Sequence, residues 1–227
     1  MINKRLSDVL RTGTSFDVIE AVKEAGTRLA SLAALSKSTQ QRTEKSVALQ
    51  NLALHASREL SRIARNFDEG LDIVAWSTRN IFEVNLLIRY VLLADNNAGK
   101  FLAESGMDEQ QVLEGLLSLS HSTDHKSRKI VRDRVTAINR MATKHGITLT
   151  KPIPTRDLAK LVGCEADYTA MFKFMSKYVH PSSWLINKPL EETQSDTYRG
   201  ILVIHAQLYA ADSYERVREA FGVASDG

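Results

Sequence analysis

The chain has 227 residues, of which 43% are hydrophobic and 25% are charged, a balance typical of soluble globular proteins. A chain of this length can bury roughly 70% of its unfolded surface, so it needs no disulfide or structural metal in order to fold. The formal net charge of +3 is too small to indicate nucleic-acid binding by itself. Cys164 is the single cysteine, which excludes an internal disulfide and favours a reducing, cytoplasmic location.

Glycine and proline are scarce, at 11 and 4 residues, and strand-like alternation is hard to find. We therefore expect an all-α fold. The sequence predicts a short helix over residues 3–11 and a second over 16–38, which Thr14 or Ser15 is expected to cap. A third helix is predicted over 39–66.

The fourth predicted helix, about 71–96, is apolar on nearly every face. A helix of this kind is surrounded by others, so we expect it to be the central helix of a multi-helix bundle. Its charged residues are Asp72, Arg79, Glu83 and Arg89. They leave no uncharged stretch near the ~20 residues that cross a bilayer, and we expect no membrane partner.

Helix boundaries are also marked in the second half of the chain. Ser122 is expected to cap a helix that ends at Gly146, where a left-handed residue belongs. Two prolines break the loop before Thr155, which can cap the short helix that follows. Further helices are predicted over 99–104, 108–120, 156–163, 165–180 and about 195–221. No repeat or composition shift divides the chain, so we expect one helical domain over residues 1–227.

Arg79 and Glu83 are four residues apart on one face of the predicted central helix. Their neighbours are apolar, so the pair should be largely withdrawn from water, where an unpaired charge costs several kcal/mol. The pair is either a structural ion pair that fixes helix register or part of a functional pocket, and the residues alone leave both interpretations open.

A second polar group ends the helix predicted over 165–180. Ser176 and His180 are four residues apart beside an apolar stripe, and Pro181 disfavours helical geometry at His180, so the helix should end there. A histidine at this position can bond the last free carbonyls. It can also serve as an acid catalyst or an anion contact.

The two segments together resemble a bacterial all-helical family known as a domain of unknown function, the 5677 type. The resemblance rests on "RNIFEVNLLIRYVL", residues 79–92, and "RDLAKLVGCEADYTAMFKFMSKYVHPSS", residues 156–183. The matching positions are Arg79, Phe82, Glu83, Tyr90, Tyr168, Ser176, Tyr178 and His180. Pro181 departs from the pattern, because many members have a small residue there.

The resemblance covers roughly residues 70–185, which would be the family-like core, with flanking helices over 1–65 and 190–227. Similar families sit near helical nuclease-type and phage-defence proteins. The resemblance therefore implies a HEPN-like, metal-independent ribonuclease or toxin-type protein. The alternative is a non-catalytic helical module that binds a ligand or partner through the same pocket, and a purely structural role for the polar residues also stays open.

In the enzyme hypothesis, Arg79 stabilises phosphate charge and His180 is the general acid or base. The expected pocket and orienting residues are Glu83, Asn80, Ser176 and Tyr178. The expected partner is RNA or a nucleotide-like anion. Helical proteins with broad apolar faces often dimerise, and HEPN-type sites form at dimer interfaces, so we expect a homodimer or a subunit of a larger complex.

The helix predicted over 122–146 is basic. Arg128, Lys129 and Arg132 are expected to track phosphates, and a merely solvated face is the alternative. The Arg–His spacing of HEPN nucleases also occurs at Arg140–His145 and at Arg199–His205, but such matches are expected by chance in this chain.

We expect neither a metal nor a cofactor. The histidines form no ligand cluster with carboxylates in the sequence. A Gly-rich phosphate loop, a nucleophile elbow and a dinucleotide fingerprint are all missing.

Overall fold

The computed structural model describes residues 10–39, 41–119 and 125–224, which form helices and loops without any β-strand. The first helices are α1 (Ser15–Thr39), α2 (Glu44–Arg65), α3 (Leu71–Leu93), α4 (Asn97–Leu119) and α5 (His125–Lys144). They are followed by α6 (Thr155–Leu161), α7, α8 (Ser183–Asn187), α9 (Leu190–Thr193) and α10 (Asp196–Ala220). α7 consists of Glu165–Asp167, a π-helical turn Tyr168–Phe172, and Lys173–Val179. The predicted all-α fold is confirmed.

α3 lies at the centre of the bundle, as its sequence predicts. It packs against α2, α4, α6, α7 and α10, and buried residues such as Ile81 and Phe82 occupy most of its circumference. Its first N–H group, on Leu71, donates to the side-chain oxygen of Gln194 at 2.8 Å. The start of α3 is therefore capped by a residue more than a hundred positions later in the chain.

α1 and α2 belong to the same core as α3. Val22 and Leu29 of α1 and Leu60 of α2 are members of one buried cluster that also includes residues of α3, α7 and α10. Thr14 caps α1, as predicted, because its hydroxyl accepts from the Asp17 N–H and its own N–H donates to the Asp17 carboxylate. Capping of this kind stabilises a helix by about 1 kcal/mol.

α4 and α5 form a hairpin whose far end reaches away from the core. α4 is one continuous helix, so the prediction of two short helices over 99–104 and 108–120 is wrong. Gly106 lies within α4, and the Leu149 side chain packs so close to it that a Cβ atom there would come within 2.9 Å. Gly146, with φ of +63°, ends the α5 segment as predicted.

The helices after residue 150 differ in part from those predicted. α8 and α9 lie within residues 181–194, for which the sequence predicts no helix, and Ser182 caps α8 by accepting from the Leu185 N–H at 3.2 Å. Pro154 is the N-cap of α6 and Thr155 is its first residue, so the predicted Thr155 cap is wrong. The aromatic rings that join α7, α8 and α10 are those of Phe174, Tyr178, Trp184 and Tyr198.

Two predictions fall largely outside the described residues. They are the helix over residues 3–11, of which only 10 and 11 are described and are not helical, and the cap at Ser122. Within the described residues, none of the helices combines the length and the apolar character needed to cross a membrane.

A polar network joins α3 to α10 inside the bundle. Asn85 of α3 donates to Asp212 at 2.8 Å and to the Ser213 hydroxyl at 3.1 Å. Arg89 and Arg216 both donate to the same Asp212 oxygen, at 3.1 and 2.7 Å. Burial alone would raise the pKa of Asp212, but the hydrogen bonds from Arg216 and Asn85 and the nearby charges hold that pKa below its ordinary value.

The network predicts that Asp212→Ala lowers the free energy of unfolding by about 2–3 kcal/mol, because two arginines lose their shared acceptor. Asp212 contributes its charge above its unfolded-state pKa, and this contribution is lost as the pH falls below about 4. The difference between variant and wild type should therefore shrink in acid. Urea titrations at several pH values measure it, and Asp133→Ala, in an exposed pair with Lys129, is the control with an effect below about 0.5 kcal/mol.

Candidate functional site

The side chain of Arg79 connects α3 to the end of α7. Its Nε donates to Glu83 Oε1 at 3.1 Å, and its Nη1 lies 3.3 Å from His180 Nε2. Residues 101 positions apart in the chain thus bring a guanidinium, a carboxylate and an imidazole together. We call Arg79, Glu83 and His180 the polar cluster.

The polar cluster lies at the edge of the core. The side chain of Arg79 is 19% exposed and that of Glu83 is 33% exposed, and His180 is exposed. A fully exposed pair four residues apart contributes only ~0.3–0.5 kcal/mol to stability. Partial burial strengthens the attraction between the two charges, while the open side of the cluster keeps it within reach of a ligand.

An aromatic platform supports the guanidinium of Arg79. The centre of the guanidinium lies 4.3 Å from the ring centre of Phe172, and Tyr168 stacks on Phe172 with ring centres 4.7 Å apart. Such a cation–π contact contributes about 0.5–2 kcal/mol, depending on desolvation. Both rings belong to the π-helical turn of α7, a type of turn that is often found at functional sites.

His180 is the C-cap of α7, with extended backbone angles and its N–H donating to the Ser176 carbonyl at 3.3 Å. The helix therefore ends just before it, as Pro181 predicts. Arginine can only donate hydrogen bonds, so Nε2 must be the acceptor in the contact with Arg79. A hydrogen bond in this contact requires the tautomer that carries its proton on Nδ1.

Glu83 borders two clefts along the one stripe of α3 that the core leaves uncovered. The first cleft also contains Asn80 of α3 and Asn51 and His55 of α2. The second lies between α3 and α4 and contains Tyr90. The sequence pattern does not point to Asn51 or His55, because no spacing on α2 indicates which face meets Glu83.

The hydroxyls of Ser176 and Tyr178 both donate hydrogen bonds to main-chain carbonyls. The Ser176 hydroxyl donates to the Phe172 carbonyl one turn earlier, at 2.7 Å. The Tyr178 hydroxyl donates to the Thr193 carbonyl at 2.8 Å, and burial raises the pKa of Tyr178 to about 12. Ser176 is thus bonded to the π-helical turn that contains Phe172 and Tyr168, and Tyr178 joins α7 to α9.

The three predicted nucleic-acid contacts lie on the outer half of the α4–α5 hairpin. The ion pair between Arg134 and Glu109, at 2.6 Å, sets the register of the two helices and places Arg128, Lys129 and Arg132 opposite the last turns of α4. At 1.5 Å per residue this region is ~20 Å along α4 from its first turns. Arg132 is exposed, and Lys129 donates to Asp133 at 2.7 Å.

The other Arg–His pairs of the sequence do not form comparable sites. Arg199 donates to the main-chain oxygens of Phe67 and Glu69, and the His205 Nδ1 lies 2.8 Å from the Ile201 carbonyl. Arg140 and His145 are both exposed. Among the described residues, no three metal-ligating side chains converge on a possible ion site.

Cys164 is buried, and burial raises the pKa of its thiol. A thiol of this kind is a poor nucleophile.

The family model described as "Family of unknown function (DUF5677)" matches residues 43–198. The match includes α2 as well as the 70–185 segment that carries the resemblance in the sequence. No curated protein and no solved structure matches the chain.

The contact between Arg79 and His180 predicts a defined histidine tautomer. In 15N-correlated NMR spectra of the wild type at mildly alkaline pH, we expect the His180 proton on Nδ1, with Nε2 as acceptor. Arg79→Lys keeps the charge but loses the planar fork, so the tautomer that carries the proton on Nε2 should gain population. An unchanged His180 spectrum in this variant would contradict the contact, and the exposed His145 serves as the internal control.

Proposed function

Because the chain belongs to the DUF5677 family of unknown function, we propose a function from the chemistry of its own side chains, namely metal-independent cleavage of RNA at the polar cluster. The observation that carries the proposal is the 3.3 Å contact between Arg79 Nη1 and His180 Nε2. It pairs a cation suited to phosphate with a group suited to proton transfer, on an exposed edge of the bundle.

The proposed reaction is attack of an RNA 2′-hydroxyl on the adjacent phosphorus. The phosphate binds Arg79 and takes over its Nη1 donor, which frees His180 Nε2 to accept the 2′-hydroxyl proton. The bond from the 2′-oxygen to phosphorus forms, the bond to the 5′-oxygen breaks, and the imidazolium returns its proton to the leaving oxygen. The products are a 2′,3′-cyclic phosphate and a 5′-hydroxyl end.

Arg79 would stabilise the charge that builds on the phosphorus oxygens in the transition state. Glu83 fixes the direction of Arg79 through Nε, and Phe172 supports the opposite face of the guanidinium. The guanidinium is therefore held before substrate arrives, which lowers the reorganisation needed during the reaction. Asn80, which follows Arg79 directly and lines the cleft shared with Glu83, would contact the nucleotide next to the cleaved bond.

We further propose that the protein is a HEPN-like, toxin-type ribonuclease of phage defence that acts in the cytoplasm as a homodimer. The single buried cysteine suits a reducing compartment. An exposed polar cluster at the edge of one bundle is also compatible with a site completed by a second copy.

The ribonuclease proposal predicts cleavage of an RNA oligonucleotide in the presence of a chelator. His180→Ala should lower the rate at least ~100-fold, and Arg79→Lys should also lose most activity, because a lysine cannot reproduce the fork. Product ends should be 2′,3′-cyclic phosphates, detected by mass spectrometry.

Two controls sharpen this experiment. His145→Ala removes the histidine of the Arg140–His145 match on α5 and should leave the rate unchanged. A substrate with a single 2′-deoxy sugar at the cleaved position should resist cleavage, because it lacks the nucleophile. The proposal fails if His180→Ala keeps wild-type activity while remaining folded, or if the deoxy substrate is cut equally well.

The basic residues of α5 generate a separate prediction for RNA binding. Replacing Arg128, Lys129 and Arg132 with Ala should weaken affinity and lower the slope of log K against log salt by about 2, at ~0.7 per lost phosphate contact. The rate at saturating RNA should be unaffected. A matched triple replacement of the exposed Lys23, Arg42 and Lys100 should change the slope little, and equal slopes for the two variants would exclude α5 as the RNA-tracking face.

The second candidate is a non-catalytic module that binds a nucleotide-like anion, as a sensor or a subunit of a complex. It is favoured by the contact between Arg79 Nη1 and His180 Nε2. Without a substrate, this contact occupies the nitrogen that a general base would use, while the other N–H groups of Arg79 can still donate to an anion. Thermal-shift measurements with nucleotides distinguish the candidates, because a ligand that stabilises the wild type but not Arg79→Lys, without RNA cleavage, supports binding alone.

A further inference from the structure

The second cleft beside Glu83 is acidic and partly enclosed. It lies between α3, α4 and the segment that leads into α6, and its volume is about 240 Å³. Its apolar walls include Leu87, Phe101 and Ile153. The polar side chains are Glu83, Tyr90, Glu104, Asp108 and Thr155. Among the described residues that line it, none is a lysine, an arginine or a histidine.

Glu104 is the most unusual of these side chains. It is only 9% exposed, and its carboxylate makes no hydrogen bond or ion pair with the described residues. Asp108 lies one turn further along α4 and faces the same cleft. Burial, and then the charge of Asp108, raise the pKa of Glu104 to about 7. A buried carboxylate without a partner is costly, so a positively charged partner would relieve its unfavourable environment.

Tyr90 gives an independent indication of a ligand. It is only 5% exposed, it lines the cleft, and its hydroxyl has no hydrogen-bond partner among the described residues. Burial, followed by the charge of Glu104, raises the pKa of Tyr90. Its hydroxyl therefore remains protonated near neutral pH and can donate or accept. Because Tyr90 lines the cleft and its hydroxyl has no protein partner among the described residues, that hydroxyl is available to a ligand atom.

We propose that this cleft binds a small alkylammonium ion, with its charged nitrogen between Glu104, Asp108 and Tyr90. The hydrocarbon part lies against Leu87, Phe101 and Ile153. An ammonium group donates three hydrogen bonds and needs acceptors, which the two carboxylates and the phenol oxygen supply. The ring of Phe101 and the ring of Tyr90 add surfaces that attract cations.

A metal ion fits this cleft less well than an organic cation. Calcium and magnesium require several oxygen ligands at close, well-defined distances, and the described residues hold no group of three ligating side chains with that geometry. The apolar walls would also contact only water around a hydrated ion, whereas they contact the carbon chain of an alkylammonium directly.

The inference does not rest on the proposed ribonuclease function. Glu83 is the one residue that the cleft shares with the polar cluster, and Arg79 already engages one of its oxygens. Glu104, Asp108 and Tyr90 have no part in the chemistry assigned to Arg79 and His180. Variants at Glu104 and Tyr90 therefore test the ammonium site, and variants at His180 test the nuclease.

The test is calorimetric or NMR titration of the full chain with n-butylammonium chloride near neutral pH. We expect saturable one-to-one binding, and no binding of n-butanol, which has the same shape but no charge. Glu104→Gln should weaken binding roughly tenfold or more, because it removes the most buried acceptor charge. Tyr90→Phe should weaken it several-fold. The control Glu114→Gln, at an exposed position of the same helix, should bind like the wild type.

The pH dependence gives a second measurement. Glu104 must lose its proton to pair with the cation, so affinity should rise between about pH 6 and pH 8 and binding should release a proton. The charged and titratable groups that face Glu104 are Asp108, Tyr90 and Glu83. Because the rise is assigned to the Glu104 carboxyl, it should disappear in Glu104→Gln.

Three results would overturn the proposal. They are equal affinity for n-butanol, undiminished binding in Glu104→Gln, and binding of Mg²⁺ or Ca²⁺ that excludes n-butylammonium. Glu104→Gln should fold, since glutamine matches the shape of the neutral acid and removes a buried charge. Should that variant fail to fold, Tyr90→Phe together with the wild-type pH profile decides the outcome, and a flat profile rejects the site.

Discussion

The burial of α3 on most of its circumference is the constraint on which the rest of the structure depends. Most polar side chains of a helix surrounded by others need a hydrogen-bond partner, and the Ser77 hydroxyl is an exception that has none among the described residues. Asn85 and Arg89 meet this requirement inside the bundle, through Asp212 of α10. Arg79 meets it at the edge, through Glu83 and His180. The same requirement therefore produces a partly buried network around Asp212 on one side of α3 and the polar cluster on the other.

The Asp212 network and the polar cluster differ in how much hydrogen-bonding capacity they leave for a ligand. In the inner network a single Asp212 oxygen receives Asn85, Arg89 and Arg216, so its hydrogen-bonding capacity is already used. In the outer cluster, Arg79 uses Nε and one contact of Nη1, and its remaining donors have room for a ligand. A substitution in the inner network should thus affect folding first. A substitution in the outer cluster can alter the proposed binding or catalysis while the fold persists.

The amount that the sequence predicts depends on whether the signal is local. The central position of α3, the cap at Thr14 and the end of α7 at His180 follow from periodicity, side-chain type and a proline, all of which act within a few residues. The approach of Arg79 to His180 required a resemblance that linked the two segments, because no local pattern joins residues 101 positions apart.

Other features depend on packing between distant segments. α4 continues through Gly106, where Leu149 packs closely against the backbone, and no rule about glycine in helices predicts this contact. The π-helical turn that presents Phe172 to Arg79 was equally hidden, since its sequence also suits an ordinary helix. Tyr178 matches the family pattern, yet its hydroxyl bonds to Thr193. The family pattern thus picks out Tyr178, and the structure shows that its hydroxyl bonds to another helix.

Glu83 divides the exposed stripe of α3 into two electrostatic regions. Towards α7 it neutralises part of Arg79, and the exposed residues Lys173 and Lys177 add positive charge on that helix. Towards α4 it joins Glu104 and Asp108, whose carboxylates repel any polyanion. Under the two proposals, an RNA strand that reaches Arg79 would approach over α7, and a small organic cation would enter the cleft on the opposite side of Glu83. The Glu83 carboxylate would then separate the proposed anion-binding edge of α3 from the proposed cation-binding cleft.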